Sequence, residues 1–125
     1  MELLLDSSFL IFVANTPAHR FEGVKESLGR VEPAVLDAVI DELHTISSRA
    51  PAKRAKAARR ALEYASRLKR ISYSEGEGVD DKILKYAESS GAVVATIDSE
   101  LRSRLRAVGV PVVSRRGNRL VVDGV

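Results

Sequence analysis

The chain has 125 residues, of which 45% are hydrophobic and 30% charged, and its formal net charge is +3. This size and balance predict one soluble globular domain over residues 1–125 and argue against a disordered chain. Because cysteine is absent and His19 and His44 are the only histidines, Zn–Cys sites and thiolate nucleophiles are excluded, a Ser–His hydrolase is disfavoured, and any chemistry is expected to use carboxylates.

The first half of the chain alternates short apolar runs with helical patterns. Leu3–Leu5 predicts a buried strand, and the apolar spacing that follows predicts a helix from near Ser7 to about Asn15. A loop then leads to a short predicted helix over Glu22–Leu28, which Gly29 ends.

The middle of the chain predicts a second strand and two helices. The strand is expected over Ala34–Leu36, and Asp37 is expected to cap a helix from Ala38 to about Ser47. An alanine-rich sequence without glycine or proline predicts a long helix over Ala52–Leu68. A short strand over Ile71–Tyr73 is the last element expected here.

The last third continues the alternation of helices and strands. Val79–Ser89 and Ser99–Val108 predict helices, Ala92–Ile97 is the clearest buried strand, and Val110–Val113 predicts another. Leu120–Val122 is expected to pair back as a terminal hairpin strand. Strands that alternate with helices predict a three-layer α/β/α sandwich with a mainly parallel central sheet.

The sequence also predicts where the protein resides. The start, Met-Glu-Leu-Leu-Leu-Asp, meets an acid too soon for a signal peptide. No apolar run approaches the roughly 20 residues that a membrane span needs. We therefore expect a cytoplasmic protein without membrane association.

Acids at four positions of the chain fall at the ends of predicted strands or on predicted helices. Asp6 ends the first predicted strand, and Asp98 ends the predicted strand Ala92–Ile97. Glu42 lies at the edge of an apolar helix stripe, and Asp80 or Asp81 opens a helix. In open parallel sheets, ligands bind outside the carboxyl ends of the strands. Acids gathered there repel one another unless cations neutralise them. Oxygen ligands alone favour Mg²⁺ or Mn²⁺.

Each acid also has a simpler interpretation when it is taken alone. Asp6, Asp80 and Asp98 are all placed to act as helix N-caps, which contribute about 1 kcal/mol each. Glu42 could face solvent. The combination of four acids in this arrangement is what favours a metal site.

Four segments that carry these acids resemble the motif series of the PIN domain nucleases: LLLDSSFLI, VIDELHTI, GVDDKILKYA and VVATIDSELRSRLRAVGVPVV. The acids follow the order of the family and stand 36, 38 and 18 residues apart. The resemblance extends from Leu3 to Val113. Within the family, the chain is most similar to small archaeal PIN proteins, which resemble both VapC toxins and the PIN nuclease of eukaryotic ribosomal RNA processing.

The resemblance implies an endoribonuclease that cleaves RNA phosphodiester bonds with one or two Mg²⁺ or Mn²⁺ ions. The catalytic and metal-binding acids that it implies are Asp6, Glu42, Asp80 and Asp98. The supporting residues that it implies are Ser8, Asp81, Thr96 and Glu100; Asp81 would act as a ligand through water or as a helix cap.

The resemblance also implies partners. One version of the function is the toxin of a toxin–antitoxin pair, in which a cognate antitoxin covers the pocket, and the other is an RNA-processing nuclease. Small PIN proteins commonly form homodimers, and Phe21 and Val24 are weak candidates for such an interface.

Basic residues are concentrated in one stretch of the chain. Arg49–Arg70 holds nine lysines and arginines but one acid, Glu63, so this stretch carries +8 and the remainder −5. Ion pairs within a helix cannot account for a run of nearly one sign. We favour contact with an RNA backbone, with a solvated face or an acidic protein segment as alternatives. The candidate RNA-binding residues are Lys53, Arg54, Lys56, Arg59 and Arg60.

A second basic group follows Asp98 on the predicted helix. Arg102, Arg104 and Arg106 either extend the basic surface or serve only solubility.

Two other classes of protein share part of this pattern. A non-catalytic RNA- or protein-binding PIN module is the main alternative, and the presence of all four acids argues against it. Phosphate-transfer domains of the receiver or haloacid type also place Asp at strand ends. However, the sequence Asp6-Ser7-Ser8 lacks their second Asp two residues on, and no suitable lysine follows a late strand.

Overall fold

The computed structural model describes residues 1–16, 28–117 and 119–124. Within these residues a six-stranded sheet is flanked by five helices. The strands are β1 (Glu2–Leu5), β2 (Glu32–Leu36), β3 (Lys69–Ile71), β4 (Val93–Ala95), β5 (Val112–Arg116) and β6 (Arg119–Asp123). The helices are α1 (Ser7–Ala14), α2 (Asp37–Arg49), α3 (Ala52–Ala65), α4 (Val79–Ser90) and α5 (Ser99–Ala107).

One group of expectations falls on residues that the structure leaves out. The helix predicted over Glu22–Leu28 lies outside the described residues except for Leu28, and so do His19, Phe21 and Val24. The proposed dimer contact at Phe21 and Val24 therefore stays a prediction.

The sheet has the order β3-β2-β1-β4-β5-β6. Its first five strands are parallel, and β6 pairs antiparallel with β5, which confirms the terminal hairpin. Right-handed crossovers place α1, α2 and α3 on one face and α4 and α5 on the other. The contacts agree, because α3 packs against both α1 and α2. The predicted three-layer sandwich with a mainly parallel sheet is confirmed.

The chain changes direction across the sheet between β1 and β4. Leu4 of β1 pairs with Ala34 of β2 on one side and with Val94 of β4 on the other. From β1 the chain continues to β2 and β3, whereas from β4 it continues to β5. Such a switch point leaves a crevice beyond the carboxyl ends of the two strands, and in open α/β sheets ligands bind there.

This edge of the sheet rests on a well-buried core. The three leucines of β1 and Phe9 and Leu10 of α1 are fully buried. Helix α3 packs against α1 and α2 and buries a face made of alanines, whose small side chains let the helices approach closely. Among the described residues no helix is both long and apolar enough to cross a membrane.

Asp37 is not the helix cap that the sequence predicts. It is the first residue of α2, Leu36 precedes it as N-cap, and no side chain caps this helix. The Asp37 carboxylate instead accepts hydrogen bonds from Arg70 and, at 2.6 Å, from the Ser72 hydroxyl. These two donors, Ser72 first, lower the pKa of Asp37. Arg70, within β3, and Ser72, just after it, thus outcompete the local cap.

Strand β3 begins earlier than the sequence predicts, at Lys69 instead of Ile71, and α3 ends at Ala65 instead of Leu68. The strand is set by pairing with β2 and by Lys69, whose Nζ lies 2.8 Å from the Glu2 carboxylate and 3.4 Å from that of Glu32. Glu2 and Glu32 are distant from Lys69 in sequence. A prediction from helical propensity alone misses them and therefore extends α3 too far.

Candidate active site at the carboxyl edge of the sheet

Asp6 lies at the switch point, directly after β1, and is both a helix cap and a buried acid. Its side chain is 5% exposed. Oδ1 accepts hydrogen bonds from the Phe9 backbone N–H and the Ser8 hydroxyl, both at 2.8 Å, and Oδ2 accepts one from Thr96 at 2.5 Å. Burial nevertheless raises the pKa of Asp6 to about 6. Three of roughly four acceptor positions on the carboxylate are occupied, so one remains for a further partner.

Thr96 joins the ends of β1 and β4. Its hydroxyl is fully buried, donates to Asp6, and accepts a hydrogen bond from the Asp98 backbone N–H at 3.0 Å. Ser8 adds a second link, because its hydroxyl accepts a hydrogen bond from the Ile97 backbone N–H at 3.2 Å. The structure therefore places both predicted supporting hydroxyls, Ser8 and Thr96, directly against Asp6.

Asp98 follows β4 and caps α5. One oxygen, Oδ1, accepts the Glu100 and Leu101 backbone N–H groups at 2.9 and 3.2 Å. In the part of the chain that is described, the other oxygen accepts no hydrogen bond. The cap and a role in ligand binding are therefore compatible in one residue, since they use different oxygens.

Glu42 and Asp80 approach the same crevice from the two helical layers. Glu42, midway along α2, accepts a hydrogen bond from the Ser7 hydroxyl at 2.5 Å. Asp80 lies in the first turn of α4, and its pKa is raised by burial and then by repulsion from Asp98 and Glu42. Asp80 in turn contributes to the raised pKa of Asp6. Asp80 thus interacts electrostatically with the other three acids that the sequence selects.

Asp81, unlike Asp80, has a structural role. It accepts the Glu77 backbone N–H at 3.0 Å and lies 3.6 Å from both Lys85 and Arg104. The Glu77 N–H is the first cause of its lowered pKa. Gly76 lies against this carboxylate with φ of +122°, and a Cβ there would stand 3.0 Å from Asp81 Oδ2. Asp81 therefore fixes the glycine turn that leads into α4.

An open groove of about 520 Å³ lies beside these acids. The expected Glu42, Asp80 and Asp81 line it. Four further lining residues are not predicted for this site: Glu77, Gly78, Val79 and Arg104. Ser7, the partner of Glu42, is also new. Its position next to Asp6 was the available signal, but the pairing with Glu42 joins residues 35 apart.

The donor set of this edge consists of carboxylate and hydroxyl oxygens, which suits a hard divalent cation such as Mg²⁺ or Mn²⁺. Asp98, Glu42 and Glu100 repel the Asp80 carboxylate and Arg104 attracts it, and a bound cation would offset the remaining repulsion. Within the described residues, no three His, Asp or Glu side chains are grouped closely enough to hold an ion. The oxygen ligands therefore fit a divalent ion in their chemistry. To bind one, the carboxylates would have to move closer together, so their roles as ligands stay predictions.

The basic stretch lies away from this groove. Lys53, Arg54 and Lys56 are exposed on α3, while Arg59 donates to the Ser47 carbonyl and Arg60 to the Asn15 side chain, both at 3.3 Å. Asn15 is nine residues beyond Asp6, which is about 13 Å along the axis of α1.

The end of the basic stretch is neutralised. Lys69 pairs with Glu2 and Glu32, and Arg70 pairs with Asp37. The excess charge is therefore concentrated on α3 itself.

Comparison with known proteins agrees with this architecture. The model of a PIN-like domain family matches residues 3–118. The PIN domain endonuclease Utp24 superimposes with a TM-score of 0.77 at 26% identity, over 99% of this chain and 92% of that one.

A second solved structure, PAE2754 from Pyrobaculum aerophilum, shares the fold with a TM-score of 0.54 at 21% identity, over 86% of this chain and 89% of that one. A search of curated proteins finds no match. PIN domains are generally nucleases. On the family match over nearly its whole length, the chain belongs to the PIN-like domain family.

Proposed function

We propose that this protein is an endoribonuclease that hydrolyses RNA phosphodiester bonds with Mg²⁺ or Mn²⁺. The observation that carries the proposal is the placement of Asp6 and Asp98 directly after the adjacent strands β1 and β4, where Thr96 is hydrogen-bonded to both residues and Asp80 lies near enough to be repelled by Asp98 and Glu42. Carboxylates brought together without paired cations are costly in a folded protein. An acidic groove of this kind is suited to the binding of divalent metal.

The residues that would hold the ion are Asp98 through Oδ2, Asp80, Glu42, and Asp6 through its remaining acceptor position. When bound, such an ion lowers the pKa of a water ligand and stabilises charge on the phosphoryl oxygens. The hydroxyls of Ser7 and Thr96 keep Glu42 and Asp6 in fixed orientations. This support pre-organises the acids before the substrate arrives.

RNA is the proposed substrate for two reasons. The structure resembles that of a PIN domain endonuclease, and α3 presents an exposed basic face that suits a phosphate backbone. The RNA-processing and toxin versions of this function use the same groove. A small gene for an antitoxin directly upstream would identify the toxin version, in which the partner covers the groove.

Incubation of the protein with labelled structured and single-stranded RNA tests the proposal. We expect internal cleavage in the presence of Mg²⁺ or Mn²⁺ and no cleavage in excess EDTA. RNA that is bound but left intact with either metal would instead favour the non-catalytic binding module.

Two adjacent residues of α2 provide a matched control for this assay. Glu42 lines the groove, whereas Asp41 is exposed and lies outside it. Glu42→Gln keeps an acceptor for Ser7 and removes the charge, and it should lower the cleavage rate at least about a hundredfold, which corresponds to about 3 kcal/mol of lost transition-state stabilisation. Asp41→Asn should change the rate less than about twofold. Equal losses in the two variants would contradict the assignment of the site.

A further inference from the structure

Arg104 is the basic residue that lines the acidic groove within the described part of the chain. It belongs to α5 and stands one turn beyond Glu100, so both side chains lie on the face of α5 that acts on Asp80. Glu100 raises the pKa of Asp80 by repulsion, and Arg104 lowers it by attraction. Arg102 and Arg106 belong to the same helix but are not among the residues that line the groove.

The guanidinium of Arg104 is held near the acids without being hydrogen-bonded to them. Its Nη2 atom lies 3.6 Å from Asp81 Oδ1, which exceeds the 2.7–2.9 Å that is typical of a charge-assisted hydrogen bond. By contrast, Arg70 donates a hydrogen bond to Asp37, and Arg60 donates one to Asn15. Among the described residues, no acceptor takes an N–H of Arg104.

Asp81 is shared among several groups: it accepts the Glu77 N–H through Oδ2 and forms ion pairs with both Lys85 and Arg104 at 3.6 Å. Arg104 therefore has one distant, shared acidic partner and keeps its N–H donors available for a ligand. A planar guanidinium with five donors matches two oxygens of one phosphate group, an arrangement that a lysine cannot reproduce.

We propose that Arg104 binds a phosphate of the RNA strand next to the one that is cleaved; this inference rests on the proposed nuclease function. Arg104 is six residues beyond Asp98, which is about 9 Å along the axis of α5. We infer contact with a neighbouring phosphate because this separation lets the Arg104 side chain lie in the groove beside the acids. The bound strand then runs along α5, with its scissile bond at the four acids and an adjacent nucleotide at Arg104.

The test measures RNA affinity in a protein that does not cleave its ligand. Binding of a fluorescein-labelled single-stranded RNA to Asp6→Asn is followed by fluorescence anisotropy in Mn²⁺ over a series of KCl concentrations. The variant Arg104→Gln is added to this background, with Arg102→Gln as the matched control from the same helix but outside the groove. Glutamine is a good helix former, and thermal melting checks that both variants fold equally.

We expect Arg104→Gln to weaken binding about tenfold and to reduce the slope of log affinity against log salt concentration by about 0.7, the contribution of one contact to a single-stranded backbone. Arg104→Lys should keep the slope but bind several-fold more weakly than Arg104, because it loses the bidentate geometry. Arg102→Gln should change affinity less than about twofold.

Two outcomes would overturn the inference, and they are distinguishable. If Arg104→Gln binds RNA like Arg102→Gln while the unmodified protein cleaves RNA, the role of Arg104 is wrong and the proposed function stands. If the unmodified protein neither binds nor cleaves RNA, both are wrong.

Discussion

The acidic edge, formed by Asp6, Glu42, Asp80 and Asp98, and the basic face of α3 carry opposite charges and are built in opposite ways. The acids lie at the switch point of the sheet, and their hydrogen-bond donors are hydroxyls and backbone N–H groups. The basic side chains of α3 extend into solvent from a helix whose inner face is alanine.

The two regions suit different tasks: the acidic edge suits catalysis, and the basic face of α3 suits the electrostatic attraction of RNA. Neutral donors orient Asp6 and Asp98 without cancelling their charge, so the edge keeps both fixed geometry and negative potential. The exposed cations of α3 supply a field that depends on salt and requires no fixed geometry. The two regions differ in burial, and the following predictions test that difference in order of expected effect.

Asp98 has two roles that substitutions can distinguish, as a helix cap and as a proposed metal ligand. Its substitution has the largest expected effect on activity. Asp98→Ser keeps a side-chain acceptor for the Glu100 N–H but removes the carboxylate, so RNA cleavage should fall at least about a hundredfold while stability stays within about 0.5 kcal/mol. Asp98→Ala should lose the same activity and, in addition, about 1 kcal/mol of unfolding free energy. Urea unfolding and cleavage rates measure the two effects separately.

A Ser variant that retains cleavage would show that Asp98 serves only as a helix cap. The comparison between serine and alanine is informative because both remove the charge and one of them keeps the cap.

Asp6 is expected to lower the stability of the free protein at neutral pH. Its pKa of about 6 lies above the value of 3.8 for an unperturbed Asp, so the folded protein binds the proton more tightly than the unfolded chain does. The stability of the native protein should therefore fall as pH rises from about 4 to about 6. Asp6→Asn lacks this loss and should be more stable by about 1–3 kcal/mol at pH 7.5 in EDTA, with little difference near pH 4.

Urea unfolding of Asp6→Asn and the native protein at pH 4 and pH 7.5 checks this sign. A variant that is less stable at pH 7.5 would indicate that the three hydrogen bonds to the Asp6 carboxylate outweigh the cost of its burial.

Substitutions in the basic stretch should have the smallest effects on RNA binding. The size of each effect should depend on whether the basic residue is already paired with an acid. Arg54→Gln removes an exposed charge that has no acidic partner among the described residues, whereas Arg70→Gln removes one that already pairs with Asp37. We expect the first to weaken RNA binding several-fold and to lower the salt slope by about 0.7, and the second to do neither. Anisotropy titrations at several salt concentrations measure both. Equal effects would show that the stretch acts only through its total charge.

The sequence predicts the acidic edge well because Asp6, Asp80 and Asp98 sit at element boundaries and Glu42 sits at the edge of an apolar helix stripe, and local patterns reveal both. Asp6 and Asp98 directly follow apolar runs, and both do cap the helices that begin there. It predicts less well what depends on pairing between distant segments. The diversion of Asp37 to Arg70 and Ser72, the early start of β3 at Lys69, and the bond from Ser7 to Glu42 all join residues more than 30 positions apart. The place of Arg104 in the groove likewise requires the packing of α5 beside α4.

The most direct measurement of the central claim is the rate of RNA cleavage by Asp6→Asn in Mn²⁺, compared with the native protein under the same conditions. The account predicts a variant that is folded, at least as stable at neutral pH, and inactive, because the buried carboxylate at the switch point is part of the catalytic centre. Cleavage by a pure Asp6→Asn preparation at the native rate would contradict it.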